Sequence, residues 1–257
     1  SNSFELEAVN DTPQLSGKKA KLFDGYKNWN YTILESDLLK GFSDIDGDSL
    51  TIKRLKSSKG RLKNLGNGAW QLTAPRDFEG DISLTYVVSD GNGAEVNSEQ
   101  VFIIKQAVLE GTNRSDSLSG NGRDEWIYGN NGSDTIRAGG GNDRLYGGNG
   151  KDKLNGQNGN DRLYGHGGND LLNGGNGNDI IHGGSGRDTA QFSSRSNRIN
   201  LKTTRWQNTG DGRDRLISIE NINAGSGNDI VQGNRVANSL NGQNGNDRLY
   251  GHGGNDL

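Results

Sequence analysis

From residue 129 to residue 191 the chain repeats every nine residues, as GNNGSDTIR, AGGGNDRLY, GGNGKDKLN, GQNGNDRLY, GHGGNDLLN, GGNGNDIIH and GGSGRDTAQ. Each copy has Asp at its sixth position and an apolar residue at its eighth, with Ala190 filling that role in the last. A nine-residue unit cannot bury an apolar face by itself, so such a period implies units stacked on one another. Two flanking copies are degenerate. Residues 111–119 and 120–128 carry Arg114 and Arg123 in place of the fourth-position glycine, and the second has Glu125 at position six, so both read as capping turns. A second block, 224–257, resumes with Asp229, Asn238 in place of Asp, Asp247 and Asp256. Its residues 240–257 repeat 154–171 letter for letter and break off within a copy, which reads as part of a longer polypeptide.

Composition says what else such a stack needs. Only 29% of the 257 residues are apolar and 42 are glycine. Ordering the backbone costs about 1–2 kcal/mol per residue, most at glycine, and this chain has little hydrophobic burial to offset it. There is no cysteine, so disulfides and thiolate metal sites are excluded. Bound metal is the obvious candidate. No apolar run approaches the roughly 20 residues of a membrane span. No signal peptide opens the chain, an expectation that fits either a fragment or a secretion signal read from the C-terminal end. The net charge of −3 is spread evenly, with 15 acidic and 13 basic groups in 1–107 against 17 and 16 in 108–257. Neither half has the basic excess that nucleic-acid binding requires.

The first hundred residues follow a different period. Short alternating runs at Leu50–Ile52, Ala69–Thr73, Ile82–Ser89 and Val101–Lys105 are separated by hairpin signals at Asn67-Gly68 and Asp90–Gly93. Strands at this spacing predict an antiparallel β-sandwich, with Trp70, Phe78, Tyr86 and Phe102 as core candidates. Asp44, Asp46 and Asp48 form an acidic DIDGD turn, which is not an EF-hand because Gly47 is out of place and the twelfth position from Asp44 is Leu55.

The nonapeptides resemble the RTX (repeats-in-toxin, hemolysin-type) calcium-binding repeat. The resemblance implies an all-β chain whose second part is a right-handed parallel β-roll. In that fold each turn is followed by a short strand to the opposite sheet, two copies make one coil, and turns 18 residues apart stack. Asp134, Asp152, Asp170 and Asp188 then line one edge, and Glu125, Asp143, Asp161 and Asp179 the other. Glycines let the turn visit positive φ and bring carbonyl oxygens together, and the carboxylate adds charge. Ca²⁺ takes six to eight oxygens at about 2.3–2.6 Å, so about five ions are expected in the first block and fewer at Asp229, Asp247 and Asp256. That Asp and Asn-Gly simply make good turns accounts poorly for an Asp fixed at one phase. Residues 192–223 lose the nine-residue period and resemble the strand-rich insertion between roll blocks. The expected domains are 1–107, 108–191, 192–223 and 224–257.

VNDTP (9–13), the DIDGD turn and APRDFEGDISLTYVVSDGNG (74–93) resemble the cadherin-like domains of bacterial surface adhesins. That resemblance implies Asn10, Asp11, Asp44, Asp46 and Asp48 as calcium ligands, with an ordinary solvated turn as the alternative.

Catalysis has little to rest on. The histidines are His166, His182 and His252, neither H-E-x-x-H nor G-x-S-x-G occurs, and the carboxylates serve the repeat. The expected function is an extracellular calcium-binding adhesion or structural module, secreted or on a cell surface through a type I exporter and joined to neighbouring domains of a longer chain. The alternatives are the non-catalytic tail of an extracellular hydrolase and a carbohydrate- or peptide-binding module. For the last, positions seven and nine place Trp126, Arg144 and Arg162 beside Tyr128, Tyr146, Tyr164 and His182 on one sheet, either as a face for a surface glycan or peptide or as a stabilising ladder.

Overall fold

The computed structural model describes residues 10–22, 25–28, 30–193 and 195–257, so Val9 of the VNDTP stretch lies outside the described residues. The chain divides into two compact units, with the boundary between Lys105 and Gln106.

The first unit is built from sheets that are antiparallel except where Gly25–Tyr26 pairs parallel with Ile104 and Lys105. One has the order Gly25–Tyr26, Glu95–Lys105, Gly80–Ser89 and Thr51–Ser57, and another Asn30–Leu34, Ala69–Thr73 and Arg61–Gly66. Alternation along Glu95–Lys105 turns Gln100, Phe102 and Ile104 inward and leaves their neighbours exposed, the period of a half-buried strand. These residues meet Ile82, Leu84, Tyr86 and Val88 from the adjacent strand and Ile33, Leu38 and Leu72 from the other side of the core. Trp70 and Phe78 pack against this cluster from its partly buried margin. The Arg61–Gly66 and Ala69–Thr73 hairpin closes through Asn67 (φ 51°) and Gly68 (φ 68°), the two positive φ angles that a two-residue hairpin turn demands. At the next hairpin Asp90 Oδ1 accepts the amides of Asn92, Gly93 and Ala94 at 2.8–3.1 Å.

The second unit is a parallel roll. Ala107–Glu110, Glu125–Asn131, Arg144–Asn149, Arg162–Gly167, Ile180–Ser185 and Arg213–Ile217 follow one another in one sheet, with Gln207–Asn208 added antiparallel at its end. The facing sheet runs from Ser117–Ser119 through Thr135–Gly140, Lys153–Asn158, Leu171–Asn176, Thr189–Gln191 and Asn221–Asn223 to Ser239–Asn241. In the regular part each residue pairs with the one 18 positions on, as Leu145 with Leu163 and Leu154 with Leu172. Position-eight side chains from both sheets form a thin core in which Ile127, Leu145, Leu163, Ile181, Ile136, Leu154 and Leu172 are at most 1% exposed.

The stretch 192–223 loses the 18-residue spacing, but its short strands carry the roll onward. Arg198–Asn200 opens a third parallel sheet with Ile230–Gln232 and Arg248–Tyr250, while Arg213–Ile217 and Asn221–Asn223 extend the first two. Only Gly210 and Gly212 remain of the glycines, but positions six and eight persist as Asn197 with Ile199, Asp214 with Leu216 and Glu220 with Ile222. Ile199, Leu216 and Ile222 are buried in the same core as the regular copies. What holds the segment in place is that inward residue, and a glycine count does not see it.

Candidate metal centre

In the regular coils a strand covers positions seven to nine and the first three of the next copy, so the bend falls on positions four to six. Two glycines show why the sequence must be what it is. Gly159, at position four, has φ +133°, and a Cβ there would lie 1.6 Å from the Gly141 carbonyl oxygen of the preceding coil. At Gly156, position one, a Cβ would lie 2.3 Å from Asp161 Oδ2, so a side chain there crowds the carboxylate, although the copy 138–146 accommodates Ala138 at the same position. The first allows the bends to stack, and the second keeps the inner side of the bend open beside the carboxylate.

Each Asp then reaches one coil back. The amides of Asp134, Asp143, Asp152, Asp161 and Asp170 donate to Oδ1 of Asp152, Asp161, Asp170, Asp179 and Asp188 at 2.8–2.9 Å. Glu125 joins through its amide to Asp143 Oδ1 at 2.7 Å. The two columns continue beyond the regular block, to Asp214 from Asp179 at 2.8 Å and to Glu220 from Asp188 at 2.9 Å. Around the third sheet Asn197 donates to Asp229 Oδ1 and Asp229 to Asp247 Oδ1, while Asn238 donates to Asp256 Oδ1.

The second oxygen of these carboxylates is what identifies the site. Oδ2 of Asp134, Asp143, Asp152, Asp161, Asp170, Asp179, Asp188 and Asp229, and Oε1 of Glu125, are buried without a hydrogen-bond partner. A buried acceptor left unpaired costs about 1–3 kcal/mol, and more when it is charged. Like-charged oxygens stacked coil upon coil add repulsion. Burial above all, reinforced by the charges of Asp161 and Glu125, pushes Asp143 up to about 8. Burial with Asp214 and Asp161 beside it does the same to Asp179. Burial raises Asp161 and Asp170 to about 6, and it raises Asp134, Asp152, Asp188 and Glu125 as well. A column of anionic oxygens with open lone pairs, lined by backbone carbonyls and offering neither sulfur nor imidazole, suits a hard divalent cation.

Sequence reasoning missed Asp214, Glu220 and Asn197 as members of the columns. The signal was present in TGDGRDRLI (209–217), which keeps Gly212, Asp214 and Leu216 at positions four, six and eight.

In the first unit, Asp44, Asp46 and Asp48 bring carboxylate oxygens within 4.8 Å of one another, and Asp44 Oδ2 is buried without a partner. Asp11 approaches through its backbone amide, 2.8 Å from Asp46 Oδ2. The Asn10 side chain donates instead to Asp90 Oδ2 at 2.7 Å, and Asn92 ties the same hairpin to Asp48 Oδ2 at 2.7 Å. Burial would raise the Asp90 carboxyl, but hydrogen bonds from Asn10 and the turn amides outweigh it and hold it below the usual range. The sequence reading treated Asp90 as a turn residue alone, since nothing local pairs it with a residue 80 positions away.

The aromatic column is a ladder. Tyr128, Tyr146 and Tyr164 stack on one another, with centroids 4.8 and 5.2 Å apart and planes within 7°, and His182 continues the column at 6.2 Å. The Arg144 guanidinium lies over Trp126 at 4.9 Å, and Arg162 follows Arg144 in register. Between neighbouring tyrosines the ring faces are covered by each other, an arrangement that stabilises adjacent strands.

The geometry defines the class as a cation-binding parallel β-roll preceded by an antiparallel sandwich. Residues 9–105 match the family model of the cadherin-like domain, and 119–154, 155–190 and 221–257 each match that of the RTX calcium-binding nonapeptide repeat, four copies to the model. The chain thus joins a cadherin-like domain to RTX repeats, an arrangement consistent with RTX-type adhesins, and calcium is the cofactor of the repeats. Both are non-catalytic structural or adhesion modules, of families typical of secreted and surface adhesins. No curated protein matches the chain. Among the described residues no helix is long and apolar enough to cross a membrane.

Proposed function

We propose that this chain is an extracellular adhesion module whose roll folds only when calcium fills its turns. The observation that carries the reading is the row of buried, unpartnered carboxylate oxygens along both edges. Asp134, Asp143, Asp152, Asp161, Asp170, Asp179 and Asp188 are the proposed ligands in the first block, and Asp229, Asp247 and Asp256 those in the second. Bound calcium would supply the positive charge that these oxygens need, so that its binding free energy becomes folding free energy. Without it the thin core faces the backbone entropy of a glycine-rich chain. Such a chain stays unfolded where calcium is scarce, threads a type I exporter and takes its shape outside the cell.

In the cadherin-like unit, Asp44, Asp46 and Asp48 are the proposed ligands, with Asn10 and Asp11 closing the site from the segment before Gln14–Leu15. Calcium there would stiffen the join to a preceding domain of the same parent protein, as an adhesin made of serial domains requires. This unit has its own apolar core and is expected to stay folded without metal. Circular dichroism of the full chain in chelator and then in millimolar Ca²⁺ tests the proposal. Calcium should add a large β signal to a smaller constant one, and a spectrum unchanged by chelation would refute it.

A further inference from the structure

The column that runs through Glu125, Asp143, Asp161 and Asp179 stops at Asp214, and it stops in a particular way. Asp214 is 1% exposed, and its Oδ1 accepts the Asp179 amide at 2.8 Å, as in every coil before it. Its Oδ2 is different. Each buried carboxylate before it in the column has one oxygen without a partner, whereas Asp214 Oδ2 accepts a short hydrogen bond from the Thr209 hydroxyl.

Thr209 occupies position one of the copy 209–217, where six of the seven regular copies have glycine and the seventh has Ala138, whose methyl group offers no donor to the carboxylate. The inner side of the bend is narrow there, since a Cβ on Gly174 would come within 2.3 Å of Asp179 Oδ2. Thr209 puts a β-carbon and a hydroxyl into that space and is itself fully buried. A hydroxyl proton and a cation compete for the same lone pair. At the end of a column an ion also has a bend on one side only, which leaves its shell of six to eight oxygens incomplete. A donor fixed in the fold satisfies the last carboxylate without that shell. The opposite end of the other column carries the same device. Asp116 precedes Asp134 there, and its Oδ2 accepts both the amide and the hydroxyl of Thr112, at 2.6 and 2.9 Å.

We propose that Thr209 terminates the calcium column, its hydroxyl standing in for the ion at Asp214, and that Thr112 does the same at Asp116. The inference rests on the reading of the position-six carboxylates as calcium ligands, so the test includes a variant that examines that reading by itself. Calcium bound per full-length chain is counted by equilibrium dialysis, with circular dichroism reporting folding. Asp214→Asn should bind as many ions as the parent with an unchanged midpoint, because the carboxylate it neutralises holds none. Thr209→Gly, which restores the regular position one, should gain one ion. Asp161→Asn, inside the column, should lose an ion or shift the midpoint at least tenfold. Loss of an ion in Asp214→Asn overturns the proposal, as does a folded Thr209→Gly with the parent's count. If Thr209→Gly does not fold, Asp214→Asn decides. If Asp161→Asn binds as the parent does, the ligand assignment itself falls, and the role of Thr209 with it.

Discussion

Replacing Asp143 by Asn should act in opposite directions with and without calcium. The side chain is fully buried, its Oδ1 accepts the Glu125 amide and its Oδ2 has no partner. Asn keeps the acceptor and removes the charge. In the metal-free fold, burial and the neighbouring charges of Asp161 and Glu125 raise the carboxyl from an ordinary 3.8 to about 8. The folded state therefore holds a proton that the unfolded chain releases, and stability falls as pH rises from about 4 to about 8. At pH 7 the need to take up that proton opposes metal-free folding by about 2–4 kcal/mol, the lower figure allowing for screening at the sheet edge. Asp143→Asn should recover that amount in chelator at pH 7 and progressively less toward about pH 3, below the ordinary 3.8, where the carboxyl is protonated in both states. In saturating calcium it should instead lower stability, because an ion loses an anionic ligand. The assay is circular dichroism of parent and variant in EGTA between pH 4 and 8, and urea unfolding of both in millimolar calcium. In EGTA the parent should gain β signal on acidification, and the variant should gain it at a higher pH. A parent that gains β structure in EGTA as pH rises would contradict the reasoning, as would a variant destabilised equally in both conditions.

The other expectations follow from the core, the sandwich and the ladder. Leu163→Ala, at a fully buried position-eight site, should cost the calcium-loaded roll about 2–5 kcal/mol in urea unfolding and leave the melting of the cadherin-like unit unchanged. Asp48→Asn should weaken calcium binding by the cadherin-like unit without unfolding it; calorimetric titration of the isolated cation effect on its melting temperature would show no loss if the acidic turn is merely solvated. Tyr146→Ala with Tyr164→Ala removes the middle of the ring stack, and each lost ring pair should cost about 0.5–1.5 kcal/mol beyond buried area. Full stability in that double variant, with loss of retention on a glycan surface, would instead favour a ligand face.

The regular coils were legible because two requirements fall at fixed places in nine residues: an inward apolar side chain at position eight and an aspartate at position six. Register, coil length and the membership of both columns follow from that spacing. The segment 192–223 was not legible by the same rule. Asn197, Asp214 and Glu220 keep the sixth-position contact, but Thr209 replaces a glycine and the excursion around Gln207–Asn208 changes the spacing to 35 and 32 residues. The unpartnered second oxygens, and the hydroxyl that pairs one of them, depend on which side of a bend each atom faces, and sequence does not carry that. The link from Asn10 to Asp90 is a tertiary contact between loops far apart in the chain, and no local pattern announces it.

Hydrogen exchange of the full chain, read segment by segment in EGTA and in millimolar calcium, tests the central claim most directly, since it separates the two units in one measurement. Amides of 125–190, whose bonds run from coil to coil, should exchange within seconds in EGTA and become strongly protected in calcium. Those of Gly80–Ser89 and Glu95–Lys105 should be protected in both conditions. Equal protection of 125–190 with and without calcium would show that the roll holds itself together by its apolar core, and that calcium is an ornament of the fold and not its cause.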